Sequence, residues 1–429
     1  MTNFYNLHLH TNLGSPYDAL GTPKEWVDAA VGMGIDTMAV TEHGNMNSLA
    51  EFVLSSQEQN KNGVRFKPIY GVEFYVIKSL QEWQHDKELH ESFSKSKKKG
   101  NNPVPLARLR HTSHLVVWAK NPTGLRNLFH LVSLSHKEPY FYRKPRIDLK
   151  LLMEHSDGLA GSNACMGGVL GSLVRRLSDQ GANEYDIFGE VNKLNSFFLR
   201  VFGDGNWFNE IQWNGFEDQH RLNSYVLKSA KDLGIPVITT VDSHYIHPKY
   251  WKHREFYYAM KYLRGEEEEK ITIPDDFEST KMDLSLKTFD RVLESFHFYS
   301  KGRTFYDDYN IVQTIENTGL VVDAVEAFFP DQSPKMPNFI MEQYSKEPIE
   351  EIRDICFDEL ASRGLDSAPY RDRVETELNV IETRGFGRYF LVMKEIVNKA
   401  KSSWLTGPGR GSAAGSLVSY LLGITQVDR

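Results

Sequence analysis

Cysteine is scarce: Cys165 and Cys356 are the only two in 429 residues, far apart and in dissimilar contexts, which argues against a disulfide scaffold. Long apolar runs are missing too. None approaches the roughly 18 to 20 residues that cross a bilayer, and the N-terminus lacks the basic, apolar and small-residue zones of a signal peptide. A soluble, cytoplasmic protein without membrane contact is the expectation. Nor is there an excess of positive charge, since 50 Lys+Arg against 57 Asp+Glu give a net charge of −7. That excludes a global pull toward nucleic acid, so any DNA contact has to be local. What remains is ordinary globular composition, 40% hydrophobic and 25% charged, long enough for a large core and about two or three domains.

The first 245 residues read as alternating strands and helices, the pattern of parallel-sheet architecture. Roughly seven strands are expected, near Tyr5–His10, Asp36–Thr41, Gly71–Ile77, His114–Ala119, Gly158–Ser162, Phe208–Trp213 and Pro236–Thr240. Thr22, Pro23 and Glu25 spell a capping box with proline at the first helical position, and Trp26, Ala29, Ala30 and Met33 follow at helical spacing up to Gly34. Further helices should start near Asn45, Asn121 and Asp148, and one should run from Glu217 to Leu233 before Gly234 stops it. The arrangement points to a (β/α) barrel. Over 78–112 the pattern dissolves, which predicts a flexible insertion whose lysine cluster, Lys95 to Lys99, is a solvated face or a DNA contact. The acidic run Glu266–Glu269 marks the expected main boundary, dividing the chain into 1–265, a helical connector 266–345 and a C-terminal part 346–429.

In Leu7-His8-Leu9-His10, alternation along a strand would put both histidines on one face and both leucines on the other. Other metal-ligand types recur where strands finish: His43, Cys165, Asp242 and His244. In β/α barrels that end carries the active site. Glu73 and His114 lie within or at the start of their own strands, and Asp18 in the loop after the first. One such histidine alone would be unremarkable; their accumulation at successive strand ends points to a metal centre. Imidazole, carboxylate and one thiolate suit zinc or manganese better than magnesium or calcium. Clustered ions activate water and clamp phosphodiester oxygens, so phosphoester hydrolysis is the natural chemistry.

These stretches, Leu-His-Leu-His-Thr, Ala-Val-Thr-Glu-His-Gly-Asn, Tyr-Gly-Val-Glu-Phe-Tyr-Val, His114 to Asn121, Lys144 to Asp148, Ser162 to Cys165 and Val241 to Tyr245, resemble the PHP (polymerase and histidinol phosphatase) family in the form attached to C-family polymerases. The resemblance implies a distorted seven-stranded (β/α) barrel of α/β class holding about two or three zinc or manganese ions. His8, His10, Asp18, His43, Glu73, His114, Cys165, Asp242 and His244 match the family's metal positions. It further implies a competent hydrolase, with 3′–5′ exonuclease action the leading expectation and pyrophosphate cleavage open beside it. The spacing from His10 to Asp18 departs from the family by one added residue, Gly14, which makes Asp18 the ligand tied down least; Ser243 stands where members often carry glycine.

The segment Gly407-Pro-Gly-Arg-Gly-Ser-Ala-Ala-Gly-Ser416 precedes a helical-looking stretch. Its glycines permit close backbone approach, and Arg410, Ser412 and a helix N-terminus can donate to phosphate, which reads as a triphosphate cradle of Gly407, Gly409, Arg410, Gly411, Ser412 and Ser416. The bland alternative is a tight connection. With Glu377 to Glu382, Gly385 to Val392 and Gly423-Ile-Thr, the segment resembles the palm entry of C-family replicative DNA polymerases. That resemblance implies a partial α+β palm behind the connector, a DNA primer-template and deoxynucleoside triphosphates as ligands, and association with other replisome subunits. No Asp-x-Asp pair occurs in the sequence. The expectation is therefore that polymerisation, with its magnesium, needs a second polypeptide supplying the rest of palm, thumb and fingers. A free-standing phosphoesterase, and a structural module whose metals only brace the barrel, are the competing readings.

Overall fold

The computed structural model describes residues 4–96, 102–260, 273–333, 335 and 344–428, which form two compact units, Met1–Pro330 and Asp331–Arg429. In the first, the strands are β1 (Thr37–His43), β2 (Lys67–Ile77), β3 (Ser113–Ala119), β4 (Ile147–Asp148), β5 (Leu159–Ser162), β6 (Trp207–Gln212) and β7 (Val237–Thr240). The sheet runs β1-β2-β3-β5-β6-β7, with β4 against the end of β2. It is not wholly parallel as expected: β3 pairs antiparallel with both β2 and β5. The physical reason lies in the connection, because β3 starts beside the end of β2, Ser113 opposite Val76, with no crossover to the far end of the sheet.

The expected first strand makes only isolated bridges, Asn6 with Met38 and Leu9 with Ser243. Those bridges matter to the shape. Asn6 and Leu9 carbonyls accept from Ala39 and Thr41 on β1, while beyond β7 the Ser243 N–H donates to the His8 carbonyl and its own carbonyl accepts from His10, so this segment joins the two ends of the curled sheet into a distorted barrel. A bend at His8 breaks the alternation. Leu7 therefore enters the barrel floor with Ala39, Ile69, Val116, Trp118, Phe208 and Ile238, whereas Leu9 joins the outer layer with Trp26 and Val72.

The helices lie where their signals place them. Pro23–Gly32 starts with the full capping box, Pro122–Ser135 and Leu149–Glu154 are capped by Asn121 and Asp148, and Glu217–Leu233 ends at left-handed Gly234. The helix expected near Asn45 begins later, at Leu49. The insertion is more ordered than its composition suggests: Leu80–Lys95 and Leu106–Arg110 are helical, and Trp83, Val104 and Leu109 pack on Ile77. Trp83 donates to the Leu109 carbonyl at 3.0 Å, and the buried Arg146 guanidinium lies over its ring. Lys97 to Lys99 and the acidic run fall outside the described residues.

The compact unit also extends well past residue 265. Val321, Val322 and Val325 plug the barrel floor, and Thr314 and Asn317 bond to β7. The second unit is helical among its described residues, with Pro348–Ser362, Ala368–Thr383, Gly387–Lys401 and Leu417–Leu421 and none of the strands of an α+β palm. Leu417, Val418, Leu421 and Leu422 are buried against Ile352, Cys356, Leu360 and Leu378, so the last helix closes this unit's own core.

Replacing Trp83 by alanine should remove about 3 kcal/mol of packing and loosen the insertion alone. Amide exchange across Leu80–Lys95 should quicken by about a hundredfold, with β2 still protected. Unchanged protection of that helix would show that Trp83 does not anchor it.

Candidate metal centre

Each inward-facing row of the barrel passes from apolar floor to polar mouth. Ile69, Gly71 and Glu73 follow one another on β2, Ile238, Thr240 and Asp242 along β7 and beyond it, and Ala39, Thr41 and His43 on β1. On β3 the order is reversed, Trp118 and Val116 preceding the mouth at His114, because that strand runs antiparallel. This accounts for a ligand-type residue at a strand start. A period-2 pattern thus delivers side chains from every direction to one end.

The donors converge on Glu73. Its Oε1 lies 3.4 Å from His8 Nε2, 2.8 Å from His114 Nδ1 and 3.9 Å from Cys165 Sγ. Its Oε2 lies 3.5 Å from His10 Nε2 and 2.6 Å from His43 Nδ1. Asp242 Oδ1 sits 3.2 and 3.1 Å from the Nε2 atoms of His8 and His10, and 3.6 Å from His244 Nδ1. Asp18 reaches His43 and His244 with its two oxygens at 3.5 and 3.6 Å. All nine sequence-derived residues are therefore brought to one site.

Five of these atoms, His8 Nε2, His10 Nε2, His43 Nδ1, Glu73 Oε2 and Asp242 Oδ1, are buried without a directed hydrogen bond. Buried polar atoms are normally satisfied. Lone pairs aimed at a common space are what cations satisfy, and the groups His8-His10-Glu73, His43-Glu73-His114 and His10-His43-His244 each have ligand atoms within 4.8 Å of one another. The donor set fits zinc or manganese.

Electrostatics agree with a demand for positive charge. Burial opposes protonation of His8 and His43, yet Asp242, Glu210 and Glu73 raise the first well above the usual range, and Glu73 with Asp18 carries the second up to about 10. Burial and the neighbouring His43 hold His10 down at about 3. Despite burial, Glu73 is held low by His114, His43 and His8, and Asp242 by His8 and His244. Burial, with Asp242 and Glu73, pushes the Cys165 thiol up.

A second layer, absent from the sequence reading, orients these groups. Glu210 accepts from His8 Nδ1 at 2.8 Å, which turns His8 Nε2 to the centre, and is itself held by Ser162, Thr240 and Gln212. Glu42 binds Thr11 and Ser15, and Ser15 Oγ lies 3.2 Å from His10 Nδ1. Gly14, the added residue, has a place here: a Cβ on it would stand 2.1 Å from Glu42 Cγ, so the turn closes over that side chain and still brings Asp18 to the centre. Their signals were faint, Glu42 being merely next to His43 and Glu210 one acid in a strand. Lys144, Tyr75, Arg254 and Lys287 complete a cavity of about 540 Å³ above the ligands.

In the C-terminal unit, Gly407, Gly409, Arg410, Gly411 and Ser412 are exposed, with Gly411 at φ 65°. The start of Leu417–Leu421 differs from the expectation of free N–H groups. Glu377 accepts from the backbone of Leu417 and Val418 and from the Ser416 hydroxyl at 2.7 to 3.1 Å, so the chain's own carboxylate occupies that position.

Residues 6–214 match the PHP domain family and residues 350–429 the bacterial DNA polymerase III alpha NTPase domain family. The barrel region is thus similar to the PHP class of domains. The whole chain is 30% identical over 459 residues to the DNA polymerase III subunit alpha of Campylobacter jejuni, of which it covers 34%, and 99% of it is 29% identical to that of Aquifex aeolicus, again covering 34%. An amidohydrolase structure from Chromobacterium violaceum aligns with 56% of this chain and 87% of its own at 15% identity and a TM-score of 0.29. The chain resembles the N-terminal part of a bacterial-type C-family replicative DNA polymerase, the DNA polymerase III alpha subunit, and spans about a third of the curated relatives' length. Among described residues no helix is long and apolar enough to cross a membrane.

Substituting Glu210→Gln removes the charged acceptor behind His8. Metal affinity measured against a competing chelator should fall about 10- to 100-fold with the fold retained. An unchanged affinity would mean that His8 needs no such partner.

Proposed function

We propose that the barrel is a metal-dependent phosphoesterase that trims DNA from the 3′ end, placed ahead of the nucleotide-loop part of a polymerase palm. The observation that carries this reading is the set of five buried, undirected donor atoms facing one space. His8, His10, Glu73 and Asp242 would hold ions on one side, with His43, His114, Cys165, Asp18 and His244 on the other. Bound ions would supply Lewis-acid charge and an activated water for phosphodiester hydrolysis. The protein's own part is orientation: Glu210 and the Glu42–Ser15 pair fix the two N-terminal imidazoles, and the walls limit access of solvent. Lys144 stands over the Tyr75 ring at 4.3 Å on the cavity wall, where a cation and an aromatic face suit a nucleotide. The cavity lies within the usual range for small-ligand sites, roughly 300 to 1,000 Å³.

Chelator-stripped protein given manganese should release nucleotides from single-stranded or mismatched DNA 3′ ends, and Asp242→Asn or His10→Ala should abolish the release. No release by metal-loaded wild type would favour a bracing role for the ions; release of phosphate from small esters alone would favour a free-standing phosphoesterase.

For the C-terminal unit we propose nucleotide contact by Gly407, Gly409, Arg410, Gly411 and Ser412 once the carboxylates of a two-metal centre are supplied from outside these 429 residues. The chain alone, with magnesium, primer-template and all four deoxynucleotides, should leave the primer unextended. Extension by the purified chain would contradict this dependence.

A further inference from the structure

Asp18 is the ligand-type residue that its own loop secures least, and the structure supplies a strut from elsewhere. Arg254, on the helix Trp251–Met260, is 8% exposed. Its Nη2 donates to Asp18 Oδ1 at 2.5 Å, its Nε to the Asp18 carbonyl at 3.1 Å, and its Nη1 to Glu255 at 3.0 Å. The guanidinium also stacks on Tyr258 with its carbon 4.6 Å from the ring centre. One residue before Asp18, Tyr17 adopts φ 65° and sets its ring 5.2 Å from Tyr257 on the same helix. Two consecutive loop residues are therefore fastened to one helix.

Arg254 lines the cavity, yet three directed bonds and an aromatic face engage its guanidinium, so it is placed to hold protein, not substrate. Its grip is asymmetric. One Asp18 oxygen carries the guanidinium, while the other faces His43 Nε2 at 3.5 Å. No such link joins Arg254 to His8 or Glu73 among the contacts of the described residues.

Resting on the metal reading above, we propose that Arg254 is the positioning residue for one ion of the centre. It presents Asp18 beside His43 and His244, and makes occupancy of that position depend on the helix Trp251–Met260, while the His8–His10–Glu73 position is independent of it. Outer partners of ligands characteristically control affinity by about 10- to 100-fold.

The test is a manganese titration of the chelator-stripped full chain by calorimetry, comparing wild type, Arg254→Met, Arg254→Lys and Asp18→Asn. Arg254→Met should weaken one ion about 10- to 100-fold and leave the rest as in wild type. Asp18→Asn should affect the same ion, and Arg254→Lys should give a smaller loss at that ion only. If Arg254→Met does not fold, the lysine variant decides by the same criterion. Unaltered affinities in a folded variant, or an equal loss at every ion, would overturn the assignment. A wild-type chain that binds no manganese or zinc would instead remove the metal reading beneath it.

Discussion

The structure of the barrel mouth depends on one buried carboxylate, Glu73, which is 1% exposed and faces four imidazoles and a thiol. A lone carboxylate in such a place would cost several kcal/mol. It is tolerable only if positive charge gathers around it. The N-terminal segment, β1, β3 and the segment beyond β7 bring imidazoles to the mouth, and the floor below is apolar, so the field of the carboxylates is not dispersed by solvent. Without ions, the surrounding carboxylates raise His8 and His43 toward their protonated forms. A metal cluster meets the demand for positive charge with better geometry, since protons leave five donor atoms undirected.

Much of this was legible because strand chemistry is local. A histidine or acid directly after a β-branched run announces a barrel mouth, and His43, Asp242 and His244 could be placed from the sequence for that reason. Helix boundaries marked by Thr22, Asn121, Asp148 and Gly234 were legible on the same ground. Long-range pairing was not. The antiparallel course of β3 depends on where residues 78–112 fold back, and the bend at His8 depends on closing the sheet between β1 and Ser243. Glu210 and Arg254 are partners across 202 and 236 positions, a separation at which no spacing pattern survives.

Composition misled in two places. The polar stretch after Lys78 is anchored by Trp83, Val104 and Leu109 on Ile77 and by a buried arginine, and few residues suffice to hold a helical insertion. The acidic run suggested the edge of the barrel, but the valines beyond it complete the floor. In the C-terminal unit the glycine-rich segment was recognisable, whereas the seat taken by Glu377 at the following helix was not, because a carboxylate 40 positions upstream meets that backbone only in the folded unit.

The central claim is that the convergent donors are a multinuclear metal centre. Anomalous-scattering maps from crystals of the chain soaked in manganese address it directly. The account predicts more than one peak enclosed by His8, His10, His43, Glu73, His114, Asp242 and His244. Maps with no peak there, or with manganese bound only elsewhere on the surface, would contradict it.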